Sequence, residues 1–246
     1  MFLPGLIIYN SYMNADRLVA GKATFKLQVP FKLSSSGSSE DPKPLIVYLH
    51  GYGHNITQFE EAVKTFEDFE AYHLFIQGPF PTKIEHQNNK KRGYAWYLYG
   101  DQKTYNQHLE MSSEFVQDVI DQHLGHINVS EICVIGYSMG AYLAGYWALT
   151  RWKHTNKVIM LSGRFKIEMI KDVAQKTENY RHLSVLAVHG KSDSVVKPEP
   201  QQESIQKWSD SGFNGSFVTV KGGHALTEDL VNCAKNWLIS NNYRTI

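Results

Sequence analysis

Six short, mostly apolar runs constrain this chain more than any other feature: LIVYL (residues 45–49), HLFIQ (73–77), ICVIG (132–136), VIML (158–161), SVLAVH (184–189) and SFVTV (216–220). Runs of that length and β-branched content suit strands covered on both faces, as in a parallel sheet. Helical periodicity fills the gaps between them. Ile56, Phe59, Val63, Phe66 and Phe69 recur at three- and four-residue steps, as do Leu109, Phe115, Val116, Val119, Ile120 and Leu124, and later Leu226, Leu230, Ala234, Trp237 and Leu238. Strands alternating with amphipathic helices predict an α/β fold, a mostly parallel central sheet with helices on both faces.

Ahead of these runs, residues 22–33 (KATFKLQVPFKL) alternate apolar and polar side chains, the period of a half-exposed strand at an antiparallel edge. Residues 34–44 (SSSGSSEDPKP) have linker composition, but the 33 residues before them are too few for a separate core. They are read as a surface loop. Residues 1–246 are therefore expected to form one domain, 1–44 supplying N-terminal strands and a loop and 45–246 the core.

Composition removes several classes of function. Twenty-five Lys and Arg against 24 Asp and Glu give a net charge of +1, so no global field draws the chain to nucleic acid or anionic lipid. The basic stretch 88–92 (NNKKR) is read as a solvated loop. Cys133 and Cys233 are too few for a disulfide framework, lack metal-ligand spacing and are expected to be buried thiols. No zinc, dithiol or dinucleotide motif occurs, so no metal or cofactor is expected. Residues 2–9 are apolar but lack a basic start and contain Pro4, which makes a poor signal peptide, and no run approaches a membrane span. A cytoplasmic protein is expected, as a monomer or homodimer.

The chemistry concentrates at residues 131–147, EICVIGYSMGAYLAGYW, where an apolar strand runs through Gly136-Tyr137-Ser138-Met139-Gly140 into an apolar helix. This is Gly-x-Ser-x-Gly in the strand–turn–helix context that holds a serine hydroxyl above a sheet. A hydroxyl is a poor nucleophile at neutral pH and needs a base, which in turn needs an orienting acid. Asp193 follows the run 184–189, and His224 follows 216–220 just before a helix; both leave carboxyl ends of strands, where open α/β sheets place their sites. Asp210 and Asp229 fall on predicted helices and are weaker candidates. His50 and His189 each precede a glycine and are read as turn supports, and His54 as a solvated loop histidine, with the site mouth as the alternative. After residues 45–49 comes His50-Gly51-Tyr52-Gly53, whose backbone could face the serine. The amides of Tyr52 and Met139 are the candidate oxyanion donors.

The set LIVYLHGYG, GYSMG, HGKSD and GGHAL resembles the α/β-hydrolase superfamily, most closely its phospholipase/carboxylesterase branch, which includes the acyl-protein thioesterases. The likeness runs from Leu45 to the C-terminus. It implies an α/β-hydrolase fold and a small-molecule ester or thioester substrate. Only residues 163–181 separate the run 158–161 from the strand before Asp193, which leaves little material for a large lid and suits short or medium acyl chains or a single chain in a groove. The likeness also implies Ser138, Asp193 and His224 as the catalytic triad, and it marks Trp96, in Ala95-Trp96-Tyr97, as a candidate substrate contact. Two positions depart from the branch: His54 stands where it usually has Asp, and Met139 where it favours Gln. A catalytically silent ligand-binding protein and a serine peptidase of the same fold are the alternatives.

Overall fold

A computed structural model of the protein describes residues 27–38, 42–86, 89–151, 155–166 and 177–246. In chain order the elements are β1 (Phe31–Ser35), β2 (Lys43–Leu49), α1 (Ile56–Ala62), β3 (Tyr72–Ile76), β4 (Phe80–His86), β5 (Asn89–Ala95), α2 (Gln102–Leu124) and β6 (Val129–Tyr137). There follow α3 (Met139–Thr150), β7 (Lys157–Leu161), the short α4 (Thr177–Tyr180), β8 (Ser184–Gly190), α5 (Pro198–Asp210), β9 (Asn214–Val220) and α6 (Glu228–Ser240). The six apolar runs supply strands of one seven-stranded sheet, ordered β1-β3-β2-β6-β7-β8-β9, with Gln77 just beyond the end of β3. The run 216–220 forms the edge strand β9 and, contrary to expectation, none of its residues is buried, because among the described residues no further strand lies beyond it in the sheet. Among the described strands of this sheet only β1 runs antiparallel to its neighbour, and the other pairings are parallel.

The continuity of the apolar runs follows from this layering. Leu45, Val47 and Leu49 of β2 face a core built with Val116 of α2, Leu143 and Trp147 of α3, and Ile205 and Trp208 of α5. Ile46 and Tyr48 face the other way, toward Phe59 of α1 and Leu230 and Leu238 of α6. A strand with apolar layers on both sides cannot alternate with polar residues. Among the described residues no large lid covers the sheet edge, and no helix is long and apolar enough to cross a membrane.

The structure redraws several expectations. The N-terminal edge strand is Phe31–Ser35; residues 27–30 are not strand, and 22–26 lie outside the described residues. The five-residue register with β3 sets its length, so Ser34 and Ser35 pair with His73 and Tyr72 despite their loop-like composition. At the other end of the expected loop, Lys43 and Pro44 open β2, and residues 39–41 lie outside the described residues. The helix expected through Phe69 stops at Ala62 and continues as a 3-10 turn, Lys64–Asp68. Val63, Phe66 and Phe69 are spaced by three, the period of a 3-10 helix. Residues 89–92 of the basic stretch are not loop but part of β5, paired with β4 in a separate hairpin. Finally, Cys133 is buried as expected, whereas Cys233 is only half-buried.

Candidate active site

The edge where parallel strands end carries the site. β6 closes with Tyr137, α3 opens with Met139, and Ser138 between them sits at φ 50°, ψ −115°, a left-handed conformation unusual for a residue with a Cβ. The Ser138 N–H donates to the Leu161 carbonyl of β7 at 2.8 Å, which helps to hold the turn. Glycine flanks it for steric reasons. A Cβ on Gly136 would lie 2.3 Å from the Gly140 carbonyl oxygen, and one on Gly140 only 2.1 Å from that of Leu49. Strand β2 and helix α3 thus touch through bare backbone, which brings the turn after β2 up against Ser138.

Ser138, His224 and Asp193 form a continuous hydrogen-bonded line. Ser138 Oγ lies 2.9 Å from His224 Nε2, and His224 Nδ1 lies 2.9 Å from Asp193 Oδ2. The second carboxylate oxygen accepts the backbone N–H groups of Val195 at 3.0 Å and Val196 at 2.9 Å. Both oxygens of a fully buried carboxylate are therefore engaged. The rival carboxylates are on α5 and α6: Asp210 accepts from Gln206, and Asp229 is exposed in the first turn of α6.

Three further histidines stand around this line. His50 is buried, with Nδ1 2.8 Å from the Gly51 carbonyl and Nε2 accepting the Gly78 N–H at 2.9 Å, so it braces the turn after β2. Burial lowers its pKa to about 4 and keeps it neutral. His189 is buried too, with Nε2 3.2 Å from the Val196 carbonyl and 3.8 Å from Asp193 Oδ2. Burial lowers its pKa while Asp193 pulls the other way. His54 is not a solvated loop residue. It is half-buried, its ring stacks on Tyr137 at 5.6 Å, and its Nδ1 is buried with no hydrogen-bond partner among the described residues. Burial, followed by the nearby His224, lowers its pKa.

Around Tyr52, the Gly53 N–H donates to Tyr94 O at 2.8 Å, the Tyr94 N–H returns a bond to His54 O at 3.0 Å, and the His54 N–H donates to Gly51 O. Among the described residues the Tyr52 N–H meets no backbone acceptor, and Met139 opens α3, where a first-turn amide has no acceptor within the helix. The Tyr52 side chain is half exposed; Met139 is buried. Trp96 is not at the surface where the resemblance puts a substrate contact. It is fully buried, donates Nε1–H to the His50 carbonyl at 2.8 Å, and its backbone N–H faces Met139 Sδ at 3.4 Å. It stands behind the turn and braces it.

Tyr137 is the residue that the motif leaves as a variable position and the structure makes prominent. Its hydroxyl donates to the His224 carbonyl at 2.5 Å, and its ring lies so close to Gly51 that a Cβ there would be 2.7 Å from Tyr137 Cδ1. Its place between a required glycine and Ser138 was the only sequence signal for it. Among the described residues no group of three or more His, Cys, Asp or Glu could hold a metal ion.

The profile of a family described as phospholipase/carboxylesterase matches residues 35–242. Among solved structures, acyl-protein thioesterase 2 of Zea mays superposes with a TM-score of 0.62 at 21% identity, covering 86% of this chain and 98% of its own. The carboxylesterase of Bacillus cereus does so with 0.66 at 17% identity, covering 86% and 94%. The structure of esterase PE8 gives 0.63 at 22%, covering 87% and 99%. At these identities the likeness establishes the fold. Among curated proteins none matches the chain by sequence.

Proposed function

The chain belongs to the phospholipase/carboxylesterase family, and from that premise we propose that it cleaves carboxylic esters or thioesters of small or single-acyl-chain substrates through an acyl-serine intermediate. The observation that carries the reading is the unbroken line from Ser138 Oγ through His224 to Asp193, each link 2.9 Å. With its Nδ1 proton donated to Asp193, the imidazole offers Nε2 to the Ser138 hydroxyl proton. As Oγ attacks the carbonyl carbon, that proton passes to Nε2, and Asp193 stabilises the imidazolium. The tetrahedral oxyanion is received by the Tyr52 and Met139 amides, aided by the positive end of α3. Nε2 then protonates the departing alcohol or thiol, and a water repeats the sequence to release the acid.

The site suits short or medium acyl chains, because no large lid covers it among the described residues, the His224 side chain is 22% exposed and Ser138 is half-buried. A cytoplasmic location as a monomer or homodimer belongs to the same reading; two unpaired cysteines fit a reducing compartment. The test is turnover of p-nitrophenyl acetate, butyrate and octanoate by the parent and by Ser138→Ala. Because triad members act as a unit, the variant is expected to lose roughly 10⁴-fold or more in kcat. Equal rates would remove Ser138 from the reaction, and an inactive parent that also fails to react with a fluorophosphonate would favour a silent ligand-binding protein.

A further inference from the structure

We infer that Tyr137 is a positioning residue, which holds His224 in line with Ser138 through its hydroxyl. His224 lies in neither a strand nor a helix: β9 ends at Val220, α6 begins at Glu228, and the loop between contains Gly222 at φ 122° and Gly223. Such a stretch has little stiffness of its own and takes its position from its anchors. Two are present. Ser192 N–H donates to Gly222 O at 2.8 Å, tying the base loop to the loop that carries Asp193. Tyr137 OH donates to His224 O at 2.5 Å, tying it to the end of β6. The first anchor governs the distance from base to acid, the second the distance from base to nucleophile.

The geometry makes the second anchor direct. Tyr137 is bonded to Ser138 in the chain, so one side chain spans from the nucleophile's own backbone to the base's carbonyl. The ring cannot swing away: it is 6% exposed, packs over Gly51, and has the imidazoles of His54 and His224 each 5.6 Å from its centre. Burial, with Asp193 adding to it, raises the phenol to about 12, so it remains a donor throughout the working pH range. A phenylalanine would keep the packing and lose the anchor.

The kinetic arm rests on the acyl-serine reading; the spectroscopic arm does not. In Tyr137→Phe, kcat for p-nitrophenyl butyrate is expected to fall roughly tenfold with KM within about twofold, less than the hundredfold that a misplacement of about 1 Å can cost. By proton NMR of the ligand-free protein, the far-downfield His224 Nδ1–H resonance should broaden or vanish in the variant. Parent-like kcat with a parent-like resonance would overturn the inference, and so would a lower kcat with an unchanged resonance. A resonance lost in a chain that hydrolyses no ester would uphold the anchor and reject the hydrolase reading. If Tyr137→Phe does not fold, the parent decides: a Tyr137 hydroxyl proton protected from exchange and close to His224 Hα supports the anchor, and its absence refutes it.

Discussion

Asp193 Oδ2 and His224 Nδ1 stand 2.9 Å apart, while the other oxygen of the same carboxylate is taken by the Val195 and Val196 amides. The acid therefore has one direction in which to hold the imidazole. Asp193→Asn keeps the shape, but Oδ1 is fixed as an acceptor by two N–H donors, so the amide NH₂ falls at Oδ2 and faces His224. The ring must then put its proton on Nε2, where it can no longer accept from Ser138. A fall of about 10⁴ in kcat is expected, the size seen when a serine protease triad is altered in this way. Asp229→Asn, exposed on α6, should leave the rate unchanged; the reverse pattern would reassign the acid.

Trp96→Phe separates bracing from substrate contact. The variant leaves the His50 carbonyl without the Nε1–H donor and opens space behind the turn. A stability loss of about 1–3 kcal/mol is expected in urea unfolding. The kinetic effect should fall mainly on kcat, through the displaced turn, and little on KM. A large rise in KM at unchanged stability would return Trp96 to the substrate.

Gly140→Ala tests the backbone contact between β2 and α3. The added methyl would stand 2.1 Å from the Leu49 carbonyl oxygen and 2.6 Å from that of His50, neither of them a side chain that can rotate aside. Overpacking of this kind costs about 3 kcal/mol, with lost activity because the turn and the elbow must move apart. Gly212→Ala makes a useful contrast. Nothing lies within 4 Å of its Cβ, so its cost should come only from the strained φ of 84°.

Acid should destabilise the protein through buried neutral histidines. Burial lowers both His50 and His73 to about 4, whereas unfolded histidine titrates near 6.5. Between those values the unfolded chain binds protons that the folded one refuses, so stability falls as pH drops from about 6.5 to about 4, by up to about 1.4 kcal/mol per pH unit for each histidine. His73 is fully buried, its Nδ1 2.9 Å from Tyr48 Oη. His73→Gln should flatten the pH dependence of the unfolding free energy even if it lowers its value at pH 7. An unchanged slope would show that His73 does not contribute.

What was legible in the sequence was whatever depends on burial along one element or on spacing along the chain. Five of the six runs mark strands covered on both sides because such strands cannot alternate, whereas 216–220 forms the edge strand β9, in which no residue is buried. Gly136 and Gly140 mark the elbow because backbone approaches them to within a methyl group's width. The same local logic selects Ser138, Asp193 and His224, each at a strand's end. It fails where a neighbour decides. Ser34 and Ser35 are strand because β3 is there to pair with them, and residues 89–92 because β4 is. Trp96, His54 and Tyr137 carry no local sign of where they point. Only the tertiary structure decides that Trp96 faces the back of the turn, that His54 leans on Tyr137 rather than into water, and that the Tyr137 hydroxyl reaches His224, 87 residues further along the chain. Periodicity reports how much of a side chain is covered; the partner and distance of a hydrogen bond exist only once separate loops meet at the sheet's edge.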